Sequence, residues 1–288
     1  MNLNDFKNFI ELEKKYSKHT VNSYISDLKE FIFFLKKNDS RLKENLNYSF
    51  VRKWIVELSE KGLSKRTINR KTSSLKSYFN FLISINKIDS SPLKNHKNLK
   101  IEPKIVVPFN QNELKKVFEI FENKNHYSTR DSLIIDTLYS TGIRRDELIN
   151  LKIKDIYFDK SLLKVKGKRN KERLVPVLPS LLKRMKIFIN DNPTKTYFFE
   201  SNKGKKISPS TIYRVVTKYF RLVSTKNKIS PHVIRHSFAT HMVNNGADIN
   251  SVKEILGHSS LSSTQIYTKI KIPKMLNDYM SNHPREKS

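Results

Sequence analysis

From the N-terminus to about residue 90, apolar side chains recur every three or four positions, a period that fits packed helices. Val21, Tyr24, Ile25, Leu28, Phe31, Ile32 and Leu35 form one stripe, Phe6, Phe9 and Ile10 mark a helix before it, and Phe50, Val51, Trp54, Ile55 and Leu58 one after it. Gly62 suits a left-handed stop, and Ser64 can cap a fourth helix that buries Ile68, Leu75, Tyr78, Phe79 and Leu82. Lys65, Arg66, Arg70, Lys71 and Lys76 are left for the outer face of that helix. There they either track a phosphate backbone or form a solvated charged face.

The period stops between Ser91-Pro92 and Pro108, a polar, basic stretch that contains Pro103 and regains no apolar pattern until Ile105. Such a stretch reads as a linker. The expected organisation is a helical domain over 1–93, a linker over 94–104 and a second domain over 105–288. In the second domain, Gln111 to Phe121 and Asp131 to Ser140 read as helices, with Gly142 ending the latter. Short strands follow at Ile156 to Phe158, Leu162 to Val165 and Arg173 to Val177. Helices resume through Ile212 to Phe220, Pro231 to Asn244 and Ile249 to Leu256. The fold class is therefore mainly α with a small β-hairpin sheet, α+β.

Charge narrows the partner. With 56 Lys+Arg against 27 Asp+Glu the net charge is +29, which makes a polyanion, nucleic acid first, the natural ligand. An AT-rich genome would enrich lysine, but codon bias alone does not halve the acids. No stretch approaches the roughly 20 apolar residues of a membrane span, and Met1-Asn2-Leu3-Asn4-Asp5 lacks the order of a secretion signal. A cytoplasmic location is expected. The absence of cysteine excludes disulfides, thiol nucleophiles and cysteine zinc sites.

Chemistry concentrates in Ser230-Pro231-His232-Val233-Ile234-Arg235-His236. Ser230 can cap a helix and Pro231 is tolerated at its first position. His232 and Arg235, three residues apart, then share a face and can converge on one small anion. His232 and His236 also have the spacing of zinc ligands, but no Glu lies between them and Arg235 would sit beside the metal. His236 and His241 are better read as packing or hydrogen-bonding residues.

The run from Pro231 to His241, followed by Leu256-Gly257-His258 and Thr264-Gln265-Ile266-Tyr267-Thr268, closely resembles the tyrosine recombinase family. Upstream, Thr141-Gly142-Ile143-Arg144-Arg145-Asp146-Glu147-Leu148 resembles its first-arginine motif, and Val165 to Pro176, with Lys166, Gly167 and Lys168, its lysine hairpin. The helical first segment resembles the core-binding domain of the Xer subgroup, and His283-Pro284-Arg285 suits Xer-like members. Two positions depart from the commonest pattern: Arg169 stands where glycine is frequent, and Arg145 where a smaller residue is.

The resemblance implies that Arg144, Lys168, His232, Arg235 and His258 surround a scissile phosphate that Tyr267 attacks. Two guanidiniums can neutralise the phosphoryl oxygens without a metal. The Tyr267 phenol, with a reference pKa of about 10, needs a base or hydrogen bond from His232 or His258; sequence does not separate the two. Lys168 is implied as general acid, with Arg169 as a DNA contact. Because the phosphotyrosine ester stores the energy of the broken bond, no ATP, metal or other cofactor is expected. No phosphate-binding glycine loop or acidic pair for magnesium is present. Glu147 is expected to orient neighbouring helices or arginines.

The implied function is Xer-like cutting and rejoining of DNA through a 3′-phosphotyrosine, resolving chromosome dimers at cell division. Integration or transposition of a mobile element, or relaxation of DNA as in type IB topoisomerases, are the alternatives. The implied partners are double-stranded DNA with paired half-sites, a homo- or hetero-tetramer on it, and a cell-division DNA translocase. Met275, Leu276, Tyr279 and Met280 mark a last helix, docked on its own domain or on a neighbour.

Overall fold

A computed structural model describes residues 3–38, 47–102, 106–122, 129–167, 171–192, 196–201, 204–257 and 271–285. Lys168, Arg169, His258 and Tyr267 lie outside them. Two compact units divide the chain, Met1–Lys104 and Ile105–Ser288.

In the first unit, α1 (Leu3–Asn8) runs into a π-turn, Phe9–Glu13, and is followed by α2 (Lys18–Asn38), α3 (Tyr48–Glu60) and α4 (Lys65–Ser84). The apolar stripes meet in one core where Phe6, Leu28, Phe31, Trp54, Leu58, Leu75 and Tyr78 are buried. Ser64 caps α4 as expected, its side chain accepting from the Thr67 N–H. The sequence reading starts the linker at residue 94, yet Leu99 is tied back to α4: Asn69 accepts from the Leu99 N–H and donates to the Leu99 carbonyl, both at 2.9 Å.

The same stripe corrects one assignment. Lys71 does not join the outer face of α4; it is 6% exposed, and its Nζ bonds Asp27 at 3.1 Å and Glu30 at 2.6 Å. Position 71 follows Ile68 by three and precedes Leu75 by four, so it falls on the buried stripe itself. Asp27, buried on α2 beside Leu28, supplies the opposite charge and also takes Arg70 and Ser74.

The second unit contains α5 (Gln111–Glu122), α6 (Arg130–Thr141), α7 (Arg145–Asn150), β1 (Ile156–Tyr157), β2 (Leu162–Lys166) and β3 (Glu172–Pro176). It continues with α8 (Pro179–Asn190), α9 (Pro209–Phe220), α10 (Pro231–Asn244), α11 (Ile249–Leu256) and α12 (Lys271–Asn282). The strands form one antiparallel sheet in the order β1-β2-β3, with Val165 opposite Arg173 and Lys166 opposite Glu172. Helix α6, buried from Ser132 to Thr141, passes through the middle of the core and packs against α8, α9 and α10.

Helices α7 and α8 went unread in the sequence. The first is six residues long, too short for a period; the second starts at Pro179, directly after a strand, with Pro filling the first helical position. Helix α12 packs on its own unit: Met275 and Tyr279 are buried, and the Tyr279 hydroxyl donates to the Ser140 carbonyl at 2.7 Å. Beyond it, Arg285 pairs with buried Asp136 and lies 4.0 Å over the Phe118 ring. No helix of the described residues is long and apolar enough to cross a membrane.

Candidate active site

The site grows from three chain turns in the second unit. At the end of α6, Gly142 takes left-handed backbone at φ 60° and leads directly to Arg144 and α7. A Cβ at Gly142 would meet the Phe238 ring at 2.3 Å, so this turn closes on α10 with no room for a side chain.

At the start of α10, Pro231 occupies the first turn, but Ser230 does not cap it. The Ser230 backbone is fully extended, φ −163°, where the capping Ser64 and Ser208 sit at −63° and −78°. Its Oγ finds no partner among the described residues, while its carbonyl accepts from the Val233 N–H at 3.0 Å. The first turn still holds, and it sets His232 and Arg235 on one face as their spacing requires.

The third turn is the end of α11, where Gly257 is left-handed at φ 67°. Its last carbonyls, the negative end of the helix, gather three arginines. Arg173 Nε donates to the Ile255 carbonyl at 2.7 Å, Arg235 Nη2 to that of Leu256 at 2.6 Å, and Arg144 Nη2 to that of Gly257 at 3.0 Å. A second bond from Arg235, Nη1 to the Gly142 carbonyl at 2.6 Å, joins this turn to the first.

One carboxylate sits among these cations. Glu147 accepts two bonds from Arg173, at 2.8 and 2.9 Å, one from Arg144 Nη1 at 2.9 Å and one from the Arg144 backbone N–H at 2.8 Å. Burial alone would raise its pKa, but the Arg173 bonds and charge, with the Arg144 N–H, hold it below the usual carboxylate range. Three guanidiniums against one carboxylate leave 3 − 1, a surplus of two positive charges, at the end of α11. Burial, then the charges of Arg144 and Arg173, lower the Arg235 pKa to about 10, so it stays charged at neutral pH. Burial, then Arg235 and Lys228, lower that of His232, which favours a neutral imidazole able to accept a proton.

The structure brings Arg144 and Arg235 to adjacent carbonyls at the end of α11, with His232 one turn before Arg235 on α10. Arg145 stays outside, exposed and paired with Asp146 at 3.0 Å, so its charge is spent locally. Lys65, Arg66, Arg70 and Lys76 are exposed on α4. His241 is buried and hydrogen-bonded through Nδ1 to the Tyr139 hydroxyl at 2.9 Å, while His236 is exposed. Among the described residues no group of three His, Asp or Glu side chains could hold a metal ion.

Arg173 is the residue that sequence reasoning passed over. Its place in the sequence marks only the start of a strand, although Arg173, Val175 and Val177 alternate onto one buried face. A charge in that series requires a buried carboxylate, and this was the available signal.

Residues 108–272 match the phage integrase family, and residues 3–86 the phage integrase N-terminal SAM-like domain. The chain belongs to this family, and it is a tyrosine recombinase, a DNA strand-transferase acting through a covalent tyrosine intermediate. Tyrosine recombinase XerC of Bacillus subtilis (strain 168) is 33% identical over 289 residues, covering 97% of this chain and 95% of that protein. XerC of Thermodesulfovibrio yellowstonii is 33% identical over 295 residues, covering 99% and 97%. Within its class the chain is a Xer-like tyrosine recombinase.

Two solved structures share the fold. The XerH site-specific recombinase bound to palindromic difH substrate aligns with TM-score 0.70 and 23% identity over 98% of this chain and 81% of that one. A lambda integrase dimer bound to a COC′ core site aligns with TM-score 0.70 and 16% identity over 93% and 96%.

Proposed function

We propose that Tyr267 is the nucleophile of this recombinase. Its phenolic oxygen attacks the scissile phosphorus, the bond to the 5′-oxygen breaks, and a 3′-phosphotyrosine forms. Arg144 and Arg235 hold the non-bridging oxygens, Lys168 protonates the departing 5′-oxygen to give the 5′-hydroxyl, and His232 or His258 takes the phenolic proton. In the second half, a 5′-hydroxyl of another strand attacks the ester and releases the tyrosine.

One observation carries this reading: Arg144 and Arg235 bond adjacent carbonyls at the end of α11, with His232 on the face of Arg235 and positive charge in excess. Fixed cations aimed at one point are what a phosphoryl group gaining charge requires.

The DNA contacts are assigned to Lys65, Arg66, Arg70 and Lys76 on α4, with Arg169 at the hairpin. Four protomers act on two sites in the cytoplasm, on the nucleoid. The cellular role is resolution of chromosome dimers, with a cell-division DNA translocase as trigger.

The test is incubation with nicked site DNA in EDTA. A denaturant-resistant protein–DNA adduct is expected, and it disappears in Tyr267→Phe. An adduct that survives that substitution, or that EDTA prevents, defeats the assignment. Sequencing DNA trapped in the source cell separates the cellular roles: one chromosomal locus supports dimer resolution, and the ends of a mobile element oppose it.

A further inference from the structure

Arg173 touches no position open to substrate. It is 7% exposed, and all three of its guanidinium nitrogens are spent, Nε on the Ile255 carbonyl and the other two on Glu147. Its packing is equally tight: a Cβ at Gly257 would stand 3.0 Å from its Cδ and Nε. Such a group can act on the reaction only through its neighbours.

The neighbour that matters is Glu147. It also bonds Arg144, whose side chain is 42% exposed, against 3% for Glu147. Without Arg173, Glu147 and Arg144 would be a one-to-one ion pair, and the carboxylate would cancel the charge that Arg144 presents. The site would then hold Arg144 and Arg235 against Glu147, 2 − 1, a single positive charge. A phosphodiester carries one negative charge, and the five-coordinate state formed by phenolate attack approaches two. The surplus of two that Arg173 preserves matches the second state and not the first.

We propose that Arg173 is a positioning residue of the strand-transfer reaction, holding Glu147 so that Arg144 keeps its net positive charge for the scissile phosphate. This rests on the assignment of Arg144 and Arg235 as the phosphate-binding pair.

The experiment compares single-turnover cleavage of nicked site DNA by Arg173→Met, Glu147→Gln and the double variant, with site affinity and thermal melting measured beside it. Both single substitutions break the same ion pair, but they move the charge in opposite directions. Arg173→Met is expected to cleave about 10- to 100-fold more slowly, with affinity within about 3-fold of wild type. Glu147→Gln is expected to lose less, and the double variant, back at two positive charges, to cleave at least about 5-fold faster than Arg173→Met. Equal damage from the two single substitutions, or no recovery in the double, overturns the proposal in favour of plain packing.

If melting shows that Arg173→Met does not fold, Arg173→Lys and Arg173→Gln carry the same contrast. Both lose the two-point fork and only lysine keeps the charge; a faster lysine variant supports the proposal and equal rates overturn it. Arg144→Ala and Arg235→Ala serve as controls. If they cleave normally, the site assignment fails and takes this inference with it. If they are inactive while Arg173→Met cleaves like wild type, this inference alone fails.

Discussion

Arg144, in the turn before α7, and Arg235, on α10, donate to neighbouring carbonyls, Gly257 at 3.0 Å and Leu256 at 2.6 Å. The last turn of α11 thus serves as a jig for both guanidiniums, and the chain leaves that jig one residue before His258.

Replacing Arg235 tests the jig. Its two Nη bonds span Gly142 and Leu256, a fork that an ammonium cannot reproduce. Both Arg235→Ala and Arg235→Lys should lose cleavage by about 100-fold or more, roughly 3 kcal/mol. Site affinity measured by gel shift should change far less than the rate. A lysine variant within a few-fold of wild type would contradict the role of the fork.

Gly142→Ala probes the turn beneath Arg144. The substitution forces a side chain into left-handed backbone at φ 60° and into the Phe238 ring at 2.3 Å. A loss of about 2–4 kcal/mol in unfolding free energy is expected. Denaturant titration followed by circular dichroism measures it, and a loss below about 0.5 kcal/mol would show that α10 yields more easily than its packing suggests.

Lysines on α4 should divide by burial. Lys71→Met leaves Asp27 and Glu30 short of a cation and should destabilise the fold by about 1–3 kcal/mol while leaving the salt dependence of DNA binding unchanged. Replacing exposed Lys65, Arg66 and Lys76 with alanine should do the reverse. The slope of log affinity against log salt should shrink by about 0.9 for each phosphate contact removed. A changed slope in Lys71→Met would restore that residue to the DNA face.

Stability should fall with mild acid. His283 is fully buried, with its ring 5.2 to 5.9 Å from those of Tyr139, Phe238 and Tyr279. Burial pushes its pKa down to about 3, and burial also lowers that of His241. The unfolded chain binds the protons that the folded chain refuses, so stability is complete above about pH 6.5 and is lost as pH falls below it. His283 contributes up to about 1.4 kcal/mol per pH unit in that window, and His241 acts in the same direction. Buried Asp136 and Glu147, with lowered values, lose their contributions only at lower pH. Denaturant midpoints between pH 6.5 and 4.5 should therefore decline, and more gently in His283→Phe. An unchanged slope in that variant would exclude His283 as the source.

Much of this molecule was legible in its sequence because the signals are local. Helical periods in the first 90 residues, the stops at Gly62 and Gly142, the cap at Ser64 and the spacing of His232 and Arg235 all act within a few residues. The ordered motifs around Arg144, Arg235 and Tyr267 identified the family for the same reason. What the tertiary structure alone decided are pairings between distant segments. Lys71 looked like one more surface lysine until α2 set Asp27 against it. Arg173 looked like the beginning of a strand until Glu147, 26 positions away, and the end of α11, 82 positions away, met its guanidinium. A buried charge is tolerated only where folding brings its counter-charge, and one-dimensional pattern does not record which acid that is.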